Sequence, residues 1–177
     1  MKSSHTEICL DLIRNRRSIR RFQPVPVTSQ QLALLQEAAE LSPSARNEQP
    51  WFFCAIENQQ IIHQIEQLHE PAGNCYNAPL LLCAFADKKA LEPVRDTIFA
   101  LANIMYACEA IGLGSCYINF VSEVFNCPAY DKLAGALGVP DDYFAVGALA
   151  IGVPDEKRPV PTNRKKNIFS IVQEDAQ

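Results

Sequence analysis

Three short, almost uninterrupted apolar runs constrain this chain more than anything else in it: 51–56 (WFFCAI), 80–86 (LLLCAFA) and 144–152 (FAVGALAIG). None approaches the roughly 20 residues that a membrane-spanning helix needs. Their continuity, rather than an alternation of apolar and polar positions, is expected of strands covered on both faces. A fourth run, 115–120, reads as a further strand.

The segments between them carry helical periodicity. Residues 6–14 place Ile8, Leu12 and Ile13 on one face. Thr28 followed by Gln31 reads as a capping box for a helix to about Leu41, which Pro43 ends. Ile61, Ile62, Ile65 and Leu68 mark another amphipathic helix, and 130–137 a short one. The longest periodic stretch, about 94–111, is apolar nearly all round and stops at Gly112, the expected C′ glycine. A helix so apolar is buried centrally or by a partner subunit, and a dimer is expected. Strands alternating with helices around a central sheet give an α+β or α/β domain, and 177 residues without a linker fit one domain over 1–177.

With 48% hydrophobic and 20% charged residues the chain is globular rather than disordered. The first ten residues, MKSSHTEICL, carry no signal-peptide apolar core. Seven cysteines occur without a CxxC pair, and three histidines show no ligand spacing, so reduced thiols in a cytoplasmic protein without a structural metal are expected. The net charge of −4 conceals an uneven distribution. Arg14, Arg16, Arg17, Arg20 and Arg21 fall within 14–21, and Lys157, Arg158, Arg164, Lys165 and Lys166 within 157–166. Neither window contains an acid, and together they hold ten of the 16 basic residues. An acidic body with two basic patches suits local anion binding better than general nucleic-acid binding.

In 16–22 (RRSIRRF), an extended backbone would turn Arg16, Ser18 and Arg20 to one side and Arg17 and Arg21 to the other. Guanidinium groups and a hydroxyl are suitable donors to a phosphate, although a solvated charge run remains open on the residues alone. The stretch 42–51 (SPSARNEQPW) is a loop of turn formers between a helix and a strand, which plain turn chemistry also explains. GLG at 112–114 follows a helix and lacks a third glycine, so it is no dinucleotide fingerprint.

Taken in order, RRSIRRF, SPSARNEQPW, NAP (77–79), AIGLGSCYI (110–118) and GVP (152–154) with a basic tail resemble the nitroreductase family of FMN-dependent oxidoreductases, over essentially the whole chain. The resemblance implies an α+β fold, a mainly antiparallel sheet flanked by helices, and a homodimer with FMN at the subunit interface. It implies that Arg16 and Ser18 contact the phosphate and ribityl chain, that Arg17 flanks the flavin through its backbone, and that Arg20 lies near the pyrimidine edge. A cation at that edge favours the negative charge that reduction places on the ring. Pro43, Ser44, Ala45 and Asn47 then reach the flavin from the other subunit, with Gln49 and Trp51 bracing their loop. Tyr117, Ile118 and Asn119 supply a backbone N–H towards flavin N5, and Arg164 and Lys166 are the tail's phosphate-binding bases. NAD(P)H is the implied transient reductant, and a nitroaromatic, quinone or similar electron-poor molecule the acceptor, in a ping-pong cycle. No catalytic side chain is implied, because the flavin carries the chemistry. A dehalogenase or flavin-fragmenting enzyme on the same scaffold, or a non-enzymatic FMN-binding protein, are the alternatives. Only 87–93 separates the second strand from the long helix, where many family members carry a lid. Arg46 stands where a small residue is usual, and Cys116 adjoins the predicted flavin loop.

Overall fold

The computed structural model describes residues 5–172. Its centre is a four-stranded, wholly antiparallel sheet of β1 (Trp51–Ile56), β2 (Leu80–Asp87), β3 (Gly114–Ile118) and β4 (Tyr143–Gly152), in the order β1-β2-β4-β3. The two central strands, β2 and β4, are the two longest apolar runs, and both are buried along nearly their whole length. The α+β class and antiparallel sheet follow the expectation.

One face of the sheet carries α2 (Ser29–Glu40) and α4 (Pro93–Ala110), whose Leu35, Leu101, Ile104 and Cys108 pack on Leu80, Leu82, Leu149 and Ile151. The other carries α3 (Gln59–Gln67), α5 (Phe120–Phe125) and α6 (Asp131–Ala136). There Ile62, Ile65, Val121 and Phe125 pack on Leu81, Cys83, Phe85 and Ala148. Residues that alternate along β2 therefore enter two different cores, which is why the strand reads as a continuous apolar run.

Local signals fix several boundaries. Thr28 and Gln31 form the reciprocal capping box of α2. At the end of α4, Gly112 adopts φ 79° while Leu113 N–H donates to Cys108 O (2.8 Å), a Schellman closure that requires the left-handed residue. The strand expected over 115–120 ends at Ile118. Asn119 takes a helical conformation (φ −76°, ψ −42°), and its carbonyl accepts from both the N–H (3.0 Å) and the hydroxyl (2.8 Å) of Ser122, so Phe120 begins α5.

α1 (His5–Asn15) contains no buried residue, and Ile8 and Ile13 are exposed. Residues Val94, Ile98 and Phe99 on the outer side of α4 are also exposed, as are Ile168, Phe169, Ile171 and Val172 of the tail.

Candidate functional site

The arginine-rich segment is extended and lies along the outer edge of β3. Ser18 bridges Ser115 in parallel, Ile19 N–H donates to Ser115 O (3.0 Å), and Phe22 bridges Pro154. Two glycines permit this approach. A Cβ on Gly114 would lie 2.8 Å from Ile19 Cβ and Cγ1, and one on Gly152 would lie 2.6 Å from Pro79 Cδ and 3.1 Å from Phe22 Cδ1. Ile19 is thereby fully buried in the middle of a polar run.

With Ile19 turned inward, its neighbours separate by alternation. Arg16, Ser18 and Arg20 all act electrostatically or by hydrogen bonding on Cys116. Arg20 also sits over the Tyr76 ring, 5.9 Å from its centroid. Arg17 instead turns back on α1 and donates to the carbonyls of Arg14 (2.5 Å) and Arg16, satisfying the helix end. Arg21 reaches Asp155 (3.6 Å). Arg16 makes no ion pair with another described residue. Cys116 is 4% exposed, and burial raises the pKa of its thiol against the opposing pull of Arg20, Ser18 and Arg16, which keeps it protonated rather than nucleophilic.

β3 has a partner strand on one side only. Because Ser115 turns its carbonyl outward to Ile19, the alternation of an antiparallel ladder turns Tyr117 outward as well and leaves Ile118 facing Ala148. Among the three residues expected to offer an N–H, Tyr117 and Asn119 thus have the suitable backbone phase, and Ile118 does not. The Tyr117 side chain is structural: its ring crosses Gly147 and its hydroxyl donates to Val146 O (2.9 Å).

The second predicted group lies elsewhere. Pro43, Ser44, Ala45 and Asn47 form a turn before β1 that three non-glycine residues cross with positive φ: Arg46 (54°), Asn47 (58°) and Gln49 (47°). Such backbone needs external support. Ala45 N–H donates to the buried Asp96 of α4 (3.0 Å), Gln49 N–H to Ser44 Oγ (3.0 Å), and Gln49 Nε2 to Asn47 Oδ1 (3.1 Å). At its base, Asn103 Nδ2 donates to Ser42 Oγ (2.8 Å). The short connection 88–92 is tied to the same turn, with Leu91 N–H donating to Glu48 Oε2 (2.8 Å). Gln49 braces the loop as expected. Arg46 is exposed.

These two groups sit at opposite ends of the sheet. Ser115 pairs with Ile151, which pairs with Leu80, whereas Trp51, just after the turn, pairs with Ala86. Six residue steps along β2, from Leu80 to Ala86, separate the two ends, about 20 Å of strand. Arg164 and Lys166 lie in the exposed, irregular tail, without a hydrogen bond or ion pair to another described residue. The tail's first part does return to the N-terminal cluster. Arg158 pairs with Glu109, and Arg14, Arg17 and Arg158 line a cleft of about 270 Å³ with Pro159 and Pro161.

Sequence reasoning missed the groups that hold these residues in place. Asp96 had a signal, an acid at the start of a mostly apolar helix. Glu156 had another, an acid at the border of the basic tail; its Oε1 accepts from the backbone N–H of Arg20 (2.5 Å) and Arg21 (3.2 Å). Tyr76 had none.

Comparison with known proteins places this geometry. The chain is 27% identical over 157 residues to an Archaeoglobus fulgidus protein named provisionally as an NADH dehydrogenase/NAD(P)H nitroreductase, covering 86% of this chain and 88% of that one. It is 23% identical over 174 residues to the iodotyrosine deiodinase of Thermotoga neapolitana, covering 84% and 90%. The crystal structure of a Bacteroides fragilis nitroreductase with bound FMN superposes with a TM-score of 0.86 at 22% identity, over 97% of this chain and 100% of that one. The family model described as "Nitroreductase family" matches residues 13–74 and 64–153, so the arginine segment, the strained turn and all four strands are those of a member of the nitroreductase family.

Proposed function

We propose that the protein is an FMN-dependent oxidoreductase, a single FMN-binding domain over 1–177 that works as a homodimer. It takes electrons from NAD(P)H and passes them to a nitroaromatic, quinone or similar electron-poor acceptor. The observation that carries this reading is the separation of the two predicted groups by the length of the sheet. In one chain about 20 Å of strand separates the Ser115 end from the turn, and in a two-fold dimer each end can face the opposite end of its neighbour. The uncovered apolar residues of α1, α4 and the tail favour such a partner.

The residues present suit FMN. Arg16 is a cation without an ion-pair partner among the described residues, and beside it stand the Ser18 hydroxyl, Arg20 and an outward-turned backbone edge at Tyr117 and Asn119. Together they offer charge-assisted donors for a phosphate and amide donors for a flat heterocycle. Arg16 and Ser18 bind the phosphate end, joined by Arg164 and Lys166 of the tail. The Arg17 backbone lies alongside. Arg20 meets the pyrimidine edge, and the N–H of Tyr117 or Asn119 faces N5. Pro43, Ser44, Ala45 and Asn47 of the second copy close the pocket, their backbone held rigid through Asp96. When bound, FMN supplies hydride acceptance and onward electron transfer, so reductant and acceptor occupy one pocket in turn. The protein binds, orients and excludes water, and lends no acid or nucleophile.

A dehalogenase is the second reading, favoured by the deiodinase likeness. The short 88–92 connection, tied down at Glu48, leaves little chain to cover a substrate. Free thiols at all seven cysteines suit a cytoplasmic setting. The deciding experiment is the visible spectrum of purified protein, with and without added FMN, followed by anaerobic NADH or NADPH. A bound-flavin band that bleaches with either nucleotide and returns on adding a quinone supports the proposal. Protein that stays colourless with FMN refutes it.

A further inference from the structure

The basic edge beside β3 is less basic than its sequence. Arg17 is engaged by the carbonyls of Arg14 and Arg16, and Arg21 by Asp155, leaving Arg16 and Arg20 on the Cys116 side. Into that side comes Glu156, from just beyond β4. One of its oxygens accepts two consecutive amide hydrogens, from Arg20 (2.5 Å) and Arg21 (3.2 Å). Neither oxygen meets a guanidinium or ammonium group of a described residue, so its negative charge is held against the backbone of the residue that carries the positive one. The Arg20 guanidinium sits over the Tyr76 ring, 5.9 Å from its centroid, and stays within the field of the Glu156 charge. The buried Cys116 thiol on β3 registers both signs, since Arg20 and Arg16 favour its thiolate and Glu156 opposes them.

We propose that Glu156 holds down the reduction potential of the bound flavin by offsetting Arg20 at the ring's pyrimidine edge, an inference that rests on the FMN reading above. Reduction adds negative charge to the ring. Arg20 favours that charge and a carboxylate fixed against the backbone of the same segment disfavours it, so the potential reflects the pair rather than the arginine alone. Both groups are partly solvated, and the effect grows as ionic strength falls.

The test separates charge from clasp. In E156Q the amide oxygen still accepts the two backbone hydrogens, while the negative charge is lost. The measurement is the midpoint potential of the FMN-loaded protein by dye equilibration at low and high salt, with thermal unfolding alongside. The expected result is an upward shift in E156Q, larger at low salt, with Tm close to wild type. D155N, whose carboxylate serves the outward-turned Arg21, leaves the potential in place. An unmoved potential in FMN-loaded E156Q, or the same shift in D155N, overturns the inference and leaves the FMN reading intact. Wild-type protein that binds no FMN overturns both.

Discussion

Arg16 and Arg20 are two turns of one alternation with different surroundings. Arg16 has no ion-pair partner among the described residues, and Arg20 is shared between Tyr76 and the Glu156 side of the segment. Arg16→Ala therefore removes a charge-assisted anchor, and FMN affinity measured by fluorescence quenching falls about ten- to a hundredfold. Arg20→Ala acts mainly on the ring and lowers the midpoint potential; an unchanged potential would show that Arg20 is not at the pyrimidine edge. The sequence was sufficient to sort Arg16, Ser18 and Arg20 from Arg17 and Arg21, because an extended backbone imposes that alternation on its own. It was not sufficient for Tyr76, Glu156 or Asp96, which arrive from distant parts of the chain through tertiary packing and leave no periodic trace.

The strands were legible element by element. The apolar runs 80–86 and 144–152 read as strands covered on both faces, and β2 and β4 are that. The run after Pro50 reads the same way, but β1 is an edge strand in which Ile56 alone is buried and Ala55 is exposed. The third strand was read two residues too far, since Asn119 and Phe120 suit a strand by composition and the Ser122 hydrogen bonds that turn them into α5 are invisible locally. The docking of the arginine segment on β3 was equally hidden, because it depends on the missing side chain of Gly114. There a Cβ would meet Ile19 close to that residue's own Cβ, where rotation gives no relief. Gly114→Ala accordingly lifts the segment from the sheet edge. Chemical denaturation is expected to show a loss of about 1–3 kcal/mol, accompanied by weaker FMN binding. Full stability together with wild-type affinity would show that the contact does not position the segment.

For the molecule as a whole, burial of thiols sets an alkaline limit. Burial pushes Cys75 and Cys108 from 9.0 up to about 12, and Cys83 well above its ordinary value. Between these limits the unfolded chain releases protons that the folded chain retains. The thiols' contribution to stability is thus fully present below pH 9 and is lost as pH rises towards 12, by up to about 1.4 kcal/mol per pH unit for each such thiol. Native labelling with a thiol reagent at pH 8 should modify exposed Cys9 and spare these three until unfolding; fast labelling of Cys83 would contradict the packing. Assembly is the other property of this scale. The all-round apolar character of 94–111 was readable as an excess over what a monomer buries, but which ends of the sheet would cooperate in the proposed dimer follows from topology, through pairings such as Trp51 with Ala86 and Leu80 with Ile151.

The claim that one FMN is held by opposite ends of two copies can be measured by complementation. Arg16→Ala disables one half-site, and Ser44→Ala with Asn47→Ala disables the other, so each variant alone binds FMN weakly at both sites. A mixed dimer, co-expressed and isolated with two affinity tags, would contain one site bearing both lesions and one bearing neither. Titration of that mixed dimer with FMN is predicted to show one wild-type-affinity site per dimer. Two equally weakened sites, or a tight FMN in protein that sediments as a monomer, would contradict a cofactor site shared between subunits.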